Sequence, residues 1–307
     1  MRSRRFQSML RIRWAPSISV MERLELIGGR VLEYLVEGPE GGRPLVMHHG
    51  TPGVAMVLEP VAEAAARHGL RFVTHSRPGY RDSSSHPGRR VADVAADVTA
   101  LLDAVGADDF VTLGWSGGGP HALACAALVP NRCRAAAIVA GVAPYNAEGL
   151  DWLDGMGEEN VAEFGAATTN SEALDEFLTE TSAGLKDVQP HDIIAAFGDL
   201  LSAVDQQTLR EGLADYLAES CRAAVSQGTQ GWRDDDLAFI TDWGIDLASI
   251  RVSVSIWQGD QDRMVPRDHG RWLGDHVASA TTHLVPGEGH LSLIKNIDTT
   301  ITQLANA

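Results

Sequence analysis

Phe110-Val111-Thr112-Leu113-Gly114-Trp115-Ser116-Gly117-Gly118-Gly119-Pro120 is the stretch whose reading decides how this chain folds. A strand-like run, Phe110 to Trp115, enters Gly114-Trp115-Ser116-Gly117-Gly118, and a helix-forming segment, Pro120 to Val129, leaves it. The pattern G-x-S-x-G carries little weight alone in a chain with 31 glycines. Its position between a strand and a helix changes that, because flanking small residues let the backbone turn sharply and thrust the serine hydroxyl out of a sheet.

The same rhythm extends outward. Upstream lie an expected strand Pro44 to His48, a helix Met56 to His68, a strand Arg71 to His75 and a helix Val91 to Val105. Downstream comes a strand Arg134 to Val139. Strands separated by helical stretches predict a parallel sheet, since parallel neighbours require a crossover. Leu24 and Leu26, then Gly28-Gly29, then Val31 to Val36, read as a hairpin ahead of it. Over 142–246 the pattern turns helical, with segments Ser171 to Ser182, Asp192 to Val204 and Asp205 to Ala224 and no convincing strand. The α/β alternation resumes with Val252 to Trp257, a helix near His269 to Val277, Thr281 to Val285 and a last amphipathic helix around Leu291 to Leu304. The expected division is an α/β core over 21–141 and 247–307, a helical insertion over 142–246, and a disordered extension over 1–20.

Charge narrows the function. There are 41 Asp and Glu against 25 Lys and Arg, a formal charge of -16, which argues against wrapping the phosphate backbone of nucleic acid. With 44% hydrophobic residues the composition is that of a folded globular chain. The acidity is local, because 142–246 holds 22 acids and four basic residues while the remainder is nearly neutral. An insertion of that charge is expected to repel anionic substrates and admit neutral or cationic small organic ones. Asp234-Asp235-Asp236 reads as a solvated acidic turn rather than a metal site. Cys125, Cys133 and Cys221 form no CxxC pair, so neither a disulfide framework nor a thiolate zinc site is suggested, and no metal or cofactor is expected. No apolar run is long enough for a membrane span. The first 20 residues carry five Arg, but Arg11 and Arg13 interrupt the place where an export signal needs its apolar segment. A cytoplasmic protein is the expectation.

An acyl-transfer site built on Ser116 needs oxyanion donors, a base, and a carboxylate to orient that base. After the strand Pro44 to His48 comes His49-Gly50-Thr51-Pro52-Gly53, whose curl would aim the Thr51 backbone N–H at the serine, with the Gly117 N–H as its partner. Pro52 has no N–H to offer. Past the strand Val252 to Trp257 stands Gly259-Asp260-Gln261-Asp262-Arg263-Met264-Val265-Pro266, a loop with two acids. Gly287-Glu288-Gly289-His290 puts an imidazole ahead of the last helix. The chain order serine, acid, histidine matches one of the known arrangements of this triad and differs from two others. Trp115, beside the serine, is the candidate substrate contact. Trp152, Met156, Phe164, Phe177 and Phe197 are candidates to line an acyl pocket, but most are expected to pack insertion helices together.

With these residues in hand, the chain resembles the capped α/β-hydrolase superfamily over nearly everything from Met21 onward. His49 to Gly53 is similar to its HGxPG loop, and Arg77-Pro78-Gly79-Tyr80-Arg81-Asp82-Ser83 to its RPGYGxS loop, with Arg81 where glycine is usual. Gly259 to Pro266 resembles its GxxDxxVP loop, in which the acid stands three after the glycine, and that selects Asp262 over Asp260. The resemblance implies a mostly parallel twisted sheet with helices on both faces and an inserted helical cap. It also implies Ser116 as nucleophile, His290 as base then acid, Asp262 as its orienting acid, and the insertion as a lid. The expected reaction is hydrolysis of a small carboxylic ester through an acyl-enzyme. Epoxide hydrolases and haloalkane dehalogenases carry Asp where Ser116 stands. Prolyl-type aminopeptidases, in which cap acids recognise the substrate ammonium, have HGGPG and GGSWG where this chain has HGTPG and GWSGG. An aminopeptidase and a noncatalytic small-molecule receptor remain as rivals, and peroxide chemistry as a side activity of perhydrolase-like relatives.

Overall fold

The computed structural model describes residues 20–307, so the extension expected over 1–20 falls, but for Val20, outside the described residues. Eight strands form one sheet: β1 (Glu22–Glu25), β2 (Val31–Glu37), β3 (Arg43–His48), β4 (Leu70–His75), β5 (Phe110–Trp115), β6 (Cys133–Val139), β7 (Ser253–Gly259) and β8 (Ala280–Val285). Their order across the sheet is β1-β2-β4-β3-β5-β6-β7-β8. β1 and β2 pair antiparallel around Gly28-Gly29, both at positive φ, and β2 pairs antiparallel with β4. Every later pair is parallel. A parallel sheet covered on both faces demands apolar residues at successive positions. β5 accordingly is buried throughout, while the edge strands β1 and β8 are largely exposed or half-buried.

The crossovers supply that cover. α1 (Glu59–Arg67) joins β3 to β4, α2 (Val94–Ala104) joins β4 to β5, and α3 (Gly119–Leu128) joins β5 to β6. Between β6 and β7 come α4 (Glu158–Thr169), α5 (Ser171–Leu185), α6 (Ile193–Ala196), α7 (Ala203–Thr208), α8 (Ala214–Val225) and α9 (Gln230–Ile240). α10 (Arg267–His276) precedes β8 and α11 (Ile297–Ala305) ends the chain. Residues of α2, α3 and α10, such as Leu101, Leu123 and Leu273, pack with Val46, Phe110 and Ile256 on one face. On the other, Ala64 of α1 and Ile301 of α11 pack with Leu45, Val111 and Leu113. The inserted helices bury a cluster of their own, Leu174, Leu178, Ile193 and Ala218 among them, joined by Tyr80 and Leu291 from the sheet side.

Three expectations are corrected. The helix expected from Met56 begins at Glu59, because the Ala55 N–H donates to Ser76 Oγ at 3.0 Å and holds the chain outside the helix until Pro60 can occupy the first turn. The single helix expected over Asp192 to Val204 breaks: α6 ends, Gly198 takes a φ of 48°, and Ser202 adopts an extended conformation to cap α7. Capping chemistry, not apolar spacing, decided that boundary. Asp234, Asp235 and Asp236 are not a solvated turn either; they lie within α9, at 2%, 0% and 0% exposure. They lie on a helix whose Trp232, Ala238 and Phe239 are buried as well, so burial and not exposure surrounds this acidic run.

Candidate active site

Ser116 ends the turn out of β5 with a φ of 54°, a left-handed conformation that costs a non-glycine residue roughly 1–2 kcal/mol. The surroundings hold it there. A Cβ at Gly114 would run into the Gly118 carbonyl, and one at Gly118 into the carbonyls of His48 and His49, so only glycine allows β3, β5 and α3 to converge at this point. The Ser116 hydroxyl faces a cavity of about 290 Å³ that His290, Trp115, Thr51 and Gly117 also line. Gly117 lies in the first turn leading into α3, where amides have no intrahelical acceptor.

His290 Nδ1 lies 2.9 Å from Asp262 Oδ2, both side chains being buried. Asp262 is itself held: its Oδ1 accepts the Met264 and Val265 amides at 2.9 and 2.8 Å, and Oδ2 accepts Gln258 Nε2 at 3.0 Å. Burial lowers the His290 imidazole pKa, but the charges of Asp262 and then Asp205 outweigh it, and the net shift is upward. Asp262 goes up because burial outweighs His290. Asp260 stands outside this pair. It is exposed, and its Oδ1 accepts the Gly287 amide at 2.8 Å, bracing the turn that precedes Gly289-His290.

The loop carrying Thr51 is locked by a buried ionic cluster. Arg77 donates to the carbonyls of His49 at 2.6 Å and Gly50 at 2.9 Å and to Thr51 Oγ1 at 2.8 Å. Asp235, from α9, accepts Arg77 Nε, the Thr51 hydroxyl, the Tyr80 hydroxyl and Arg89 at 2.9, 2.8, 2.9 and 2.7 Å. Burial would raise the Asp235 pKa, yet two guanidiniums hold it well below the carboxylate range. His49 is fixed within the loop, Nδ1 on the Gly50 carbonyl at 2.7 Å and Nε2 accepting the Arg77 amide at 3.3 Å. The Thr51 side chain is thereby spent on the cluster.

The insertion roofs the cavity. Met156, Phe164, Phe177 and Phe197 line it and pack as well, Met156 and Phe164 within one buried core cluster and Phe177 and Phe197 against the cluster of the insertion. Trp152 does not line it; its Nε1 donates to the Ala143 carbonyl at 2.7 Å while its ring meets Phe164. Among these apolar walls stand three acids, Glu159, Glu163 and Asp236. Glu163 accepts Trp232 Nε1 at 2.6 Å, and burial pushes its pKa up to about 7. Asp236 goes well above its ordinary value through burial and then the Glu163 charge. Neither Asp236 oxygen meets an N–H or hydroxyl donor among the described residues, so burial and the Glu163 charge act on it without an opposing hydrogen bond from such a donor.

Sequence reasoning passed over Arg89, Asp205, Asp235 and the Glu163–Asp236 pair. One signal was available: Ser202-Ala203-Val204-Asp205 is a helix-start signature, with Ser202 Oγ accepting the Asp205 amide. Nothing local marks the other contacts, which join residues more than 65 positions apart.

With strand order, elbow and acid–histidine pair described, the class follows: an alpha/beta hydrolase fold model matches residues 43–297, and the chain belongs to that family. It is 29% identical over 259 residues to the non-heme chloroperoxidase of Streptomyces lividans, covering 82% of this chain and 87% of that one. It is 26% identical over 269 residues to the non-heme haloperoxidase of Rhodococcus erythropolis, covering 84% and 89%. Among solved structures it is similar in fold to the enol-lactonase from Burkholderia xenovorans LB400, with a TM-score of 0.65, 17% identity, and coverage of 93% of this chain and 98% of that one.

Proposed function

We propose that this hydrolase cleaves a small carboxylic ester in two steps through an acyl-Ser116 intermediate. The observation that carries the reading is the His290–Asp262 pair opening on the cavity into which the positive-φ Ser116 projects. His290 takes the Ser116 proton as the hydroxyl attacks the carbonyl, then gives it to the departing alcohol; water, activated by the same ring, releases the acid. Asp262 keeps the proton on Nδ1 so that Nε2 is the basic nitrogen. The Thr51 and Gly117 amides receive the oxyanion. The segment 142–246 acts as a lid over the core formed by 21–141 and 247–307, and Trp115 contacts the substrate.

A fluorophosphonate probe should label the wild type and the Cys125→Ala variant, whose thiol is buried and raised well above its ordinary pKa, and should leave Ser116→Ala unlabelled. Labelling that ignores Ser116 overturns the assignment. Asp262→Asn should lower kcat by about 10⁴-fold, because the amide favours the wrong tautomer of His290, whereas Asp260→Asn should cost far less.

The acids in the cavity favour a second reading, hydrolysis of aminoacyl amides or esters bearing an ammonium group. That reading expects turnover of aminoacyl-arylamides, lost when the amine is acetylated; turnover confined to neutral p-nitrophenyl esters excludes it. The relatives named as chloroperoxidase and haloperoxidase support a side reaction in which hydrogen peroxide replaces water and the acyl-enzyme yields a peracid and free Ser116. Peracid release that persists in Ser116→Ala would exclude that route.

A further inference from the structure

Asp205 is fully buried in the first turn of α7, a helix of the insertion, yet every acceptor position of its carboxylate points at the loop that carries His290 or at its own cap. Its Oδ2 accepts the His290 amide at 3.0 Å and the Ser202 hydroxyl at 2.7 Å. Its Oδ1 accepts the Leu291 and Ser292 amides at 2.7 and 2.9 Å. Three consecutive amides at the start of the turn Ser292–Asn296, which would otherwise be orphan donors, are satisfied by one side chain from 85 residues away. The approach is close enough that a Cβ on Gly289 would overlap both the Asp205 carboxylate and the Ser202 hydroxyl. Asp235, another fully buried acid of the insertion, is neutralised by two arginines. No arginine or lysine bridges Asp205 among the described residues. The cation nearest in function is the imidazolium that His290 becomes during turnover.

We infer that Asp205 is a positioning residue for the general base: it fixes the backbone of His290 while Asp262 fixes the ring, and it makes the seating of the insertion a condition for aligning the base. The inference rests on the reading of His290 as that base. A displacement of about 1 Å in a reacting group can cost around 10²-fold in rate, and releasing the loop from three amide contacts frees His290 to move on that scale. The carboxylate also acts at a distance. The ionisable groups acting on His290 are Asp262, from the loop after β7, and Asp205, from α7, and both favour the charged ring. Removing the Asp205 charge therefore lowers the His290 pKa and moves the acid limb of the kcat/KM profile to lower pH.

The test uses the full chain with p-nitrophenyl acetate. Asp205→Asn, which keeps one acceptor and loses the charge, should lower kcat about tenfold and shift the acid limb down. Asp205→Ala should lower kcat about 10²-fold, and KM should stay within about twofold in both. Asp205→Glu keeps the charge but moves it by a methylene, so it should retain the acid limb while kcat falls. Leu178→Ala, in the core of the insertion and away from the cavity, should lower Tm and leave kcat unchanged. The His290 ring titration followed by NMR in a Ser116→Ala background should move down with Asp205→Asn, a readout that needs no turnover. A folded Asp205→Asn protein with wild-type kcat, acid limb and His290 midpoint overturns the inference and leaves Asp205 purely structural. Turnover that survives Ser116→Ala overturns the proposed mechanism instead, and the NMR midpoint still decides the Asp205–His290 contact.

Discussion

Buried acids are satisfied almost everywhere in this molecule, which makes Asp236 informative. Asp97 receives a two-pronged guanidinium from Arg30, Asp205 four donors, Asp235 two arginines and two hydroxyls, and Asp262 His290, two backbone amides and the Gln258 side chain. Asp236 has the neighbouring Glu163 carboxyl and no donor. A buried acid whose folded pKa is raised contributes stability that is present below its unfolded pKa, near 4, and lost as pH rises through the folded value. The penalty therefore falls at neutral and alkaline pH. Asp236→Asn should raise Tm at pH 8 by about 3 °C, corresponding to roughly 1 kcal/mol, and change it little at pH 4. A variant with the same gain at both pH values would show that the effect is packing and not titration. Arg81, where the resembling loop has glycine, is the other residue that departs from its surroundings' preference; it sits at a φ of 46°, with Nε 3.5 Å from buried Glu33.

At the scale of elements, α7 and α9 matter out of proportion to their length. Each delivers one carboxylate from the insertion to one loop at the cavity: Asp235 to the loop of Thr51, Asp205 to the loop of His290. Breaking a buried ion pair from one side typically costs 3–5 kcal/mol, because the partner charge is stranded. Asp235→Asn should therefore lower Tm markedly and, in whatever fraction stays folded, cut kcat by about 10²-fold as the oxyanion loop loses its anchor. Thr51→Val removes the hydroxyl and keeps the amide, so its kcat should fall by less than about tenfold. Wild-type kcat in folded Asp235→Asn would detach the ionic cluster from catalysis. None of this was legible from periodicity. The strands and crossover helices were, because burial on both faces of a sheet imposes a local pattern of apolar residues; α7 begins where a serine caps it, and α9 carries three acids on a buried helix whose sequence looks solvent-exposed.

For the whole molecule, the formal charge of -16 and its concentration in 142–246 acquire a different meaning. Part of that acidity is structural: Asp205 and Asp235 are internal and spent on hydrogen bonds and ion pairs, and Glu163 and Asp236 face the cavity. The remainder is largely on the surface of the insertion, where it should repel anionic substrates at the entrance. The kcat/KM for an anionic ester should accordingly rise as salt screens the repulsion, while that of a neutral ester stays nearly flat. A fall with added salt for the anionic ester would contradict it.

The amino-acid sequence by itself determined the α/β alternation, the turn that lifts Ser116 out of the sheet, the acid and histidine loops in their chain order, and where the excess charge lies. These are local properties, written in spacing, glycine placement and apolar runs. Only the tertiary structure decided that four named insertion side chains line the cavity, that an Asp-Asp-Asp run is buried, and that two carboxylates of the insertion hold the loops of Thr51 and His290. Those facts depend on which distant groups desolvate one another, and a buried charge is stable only where the fold brings it its donors.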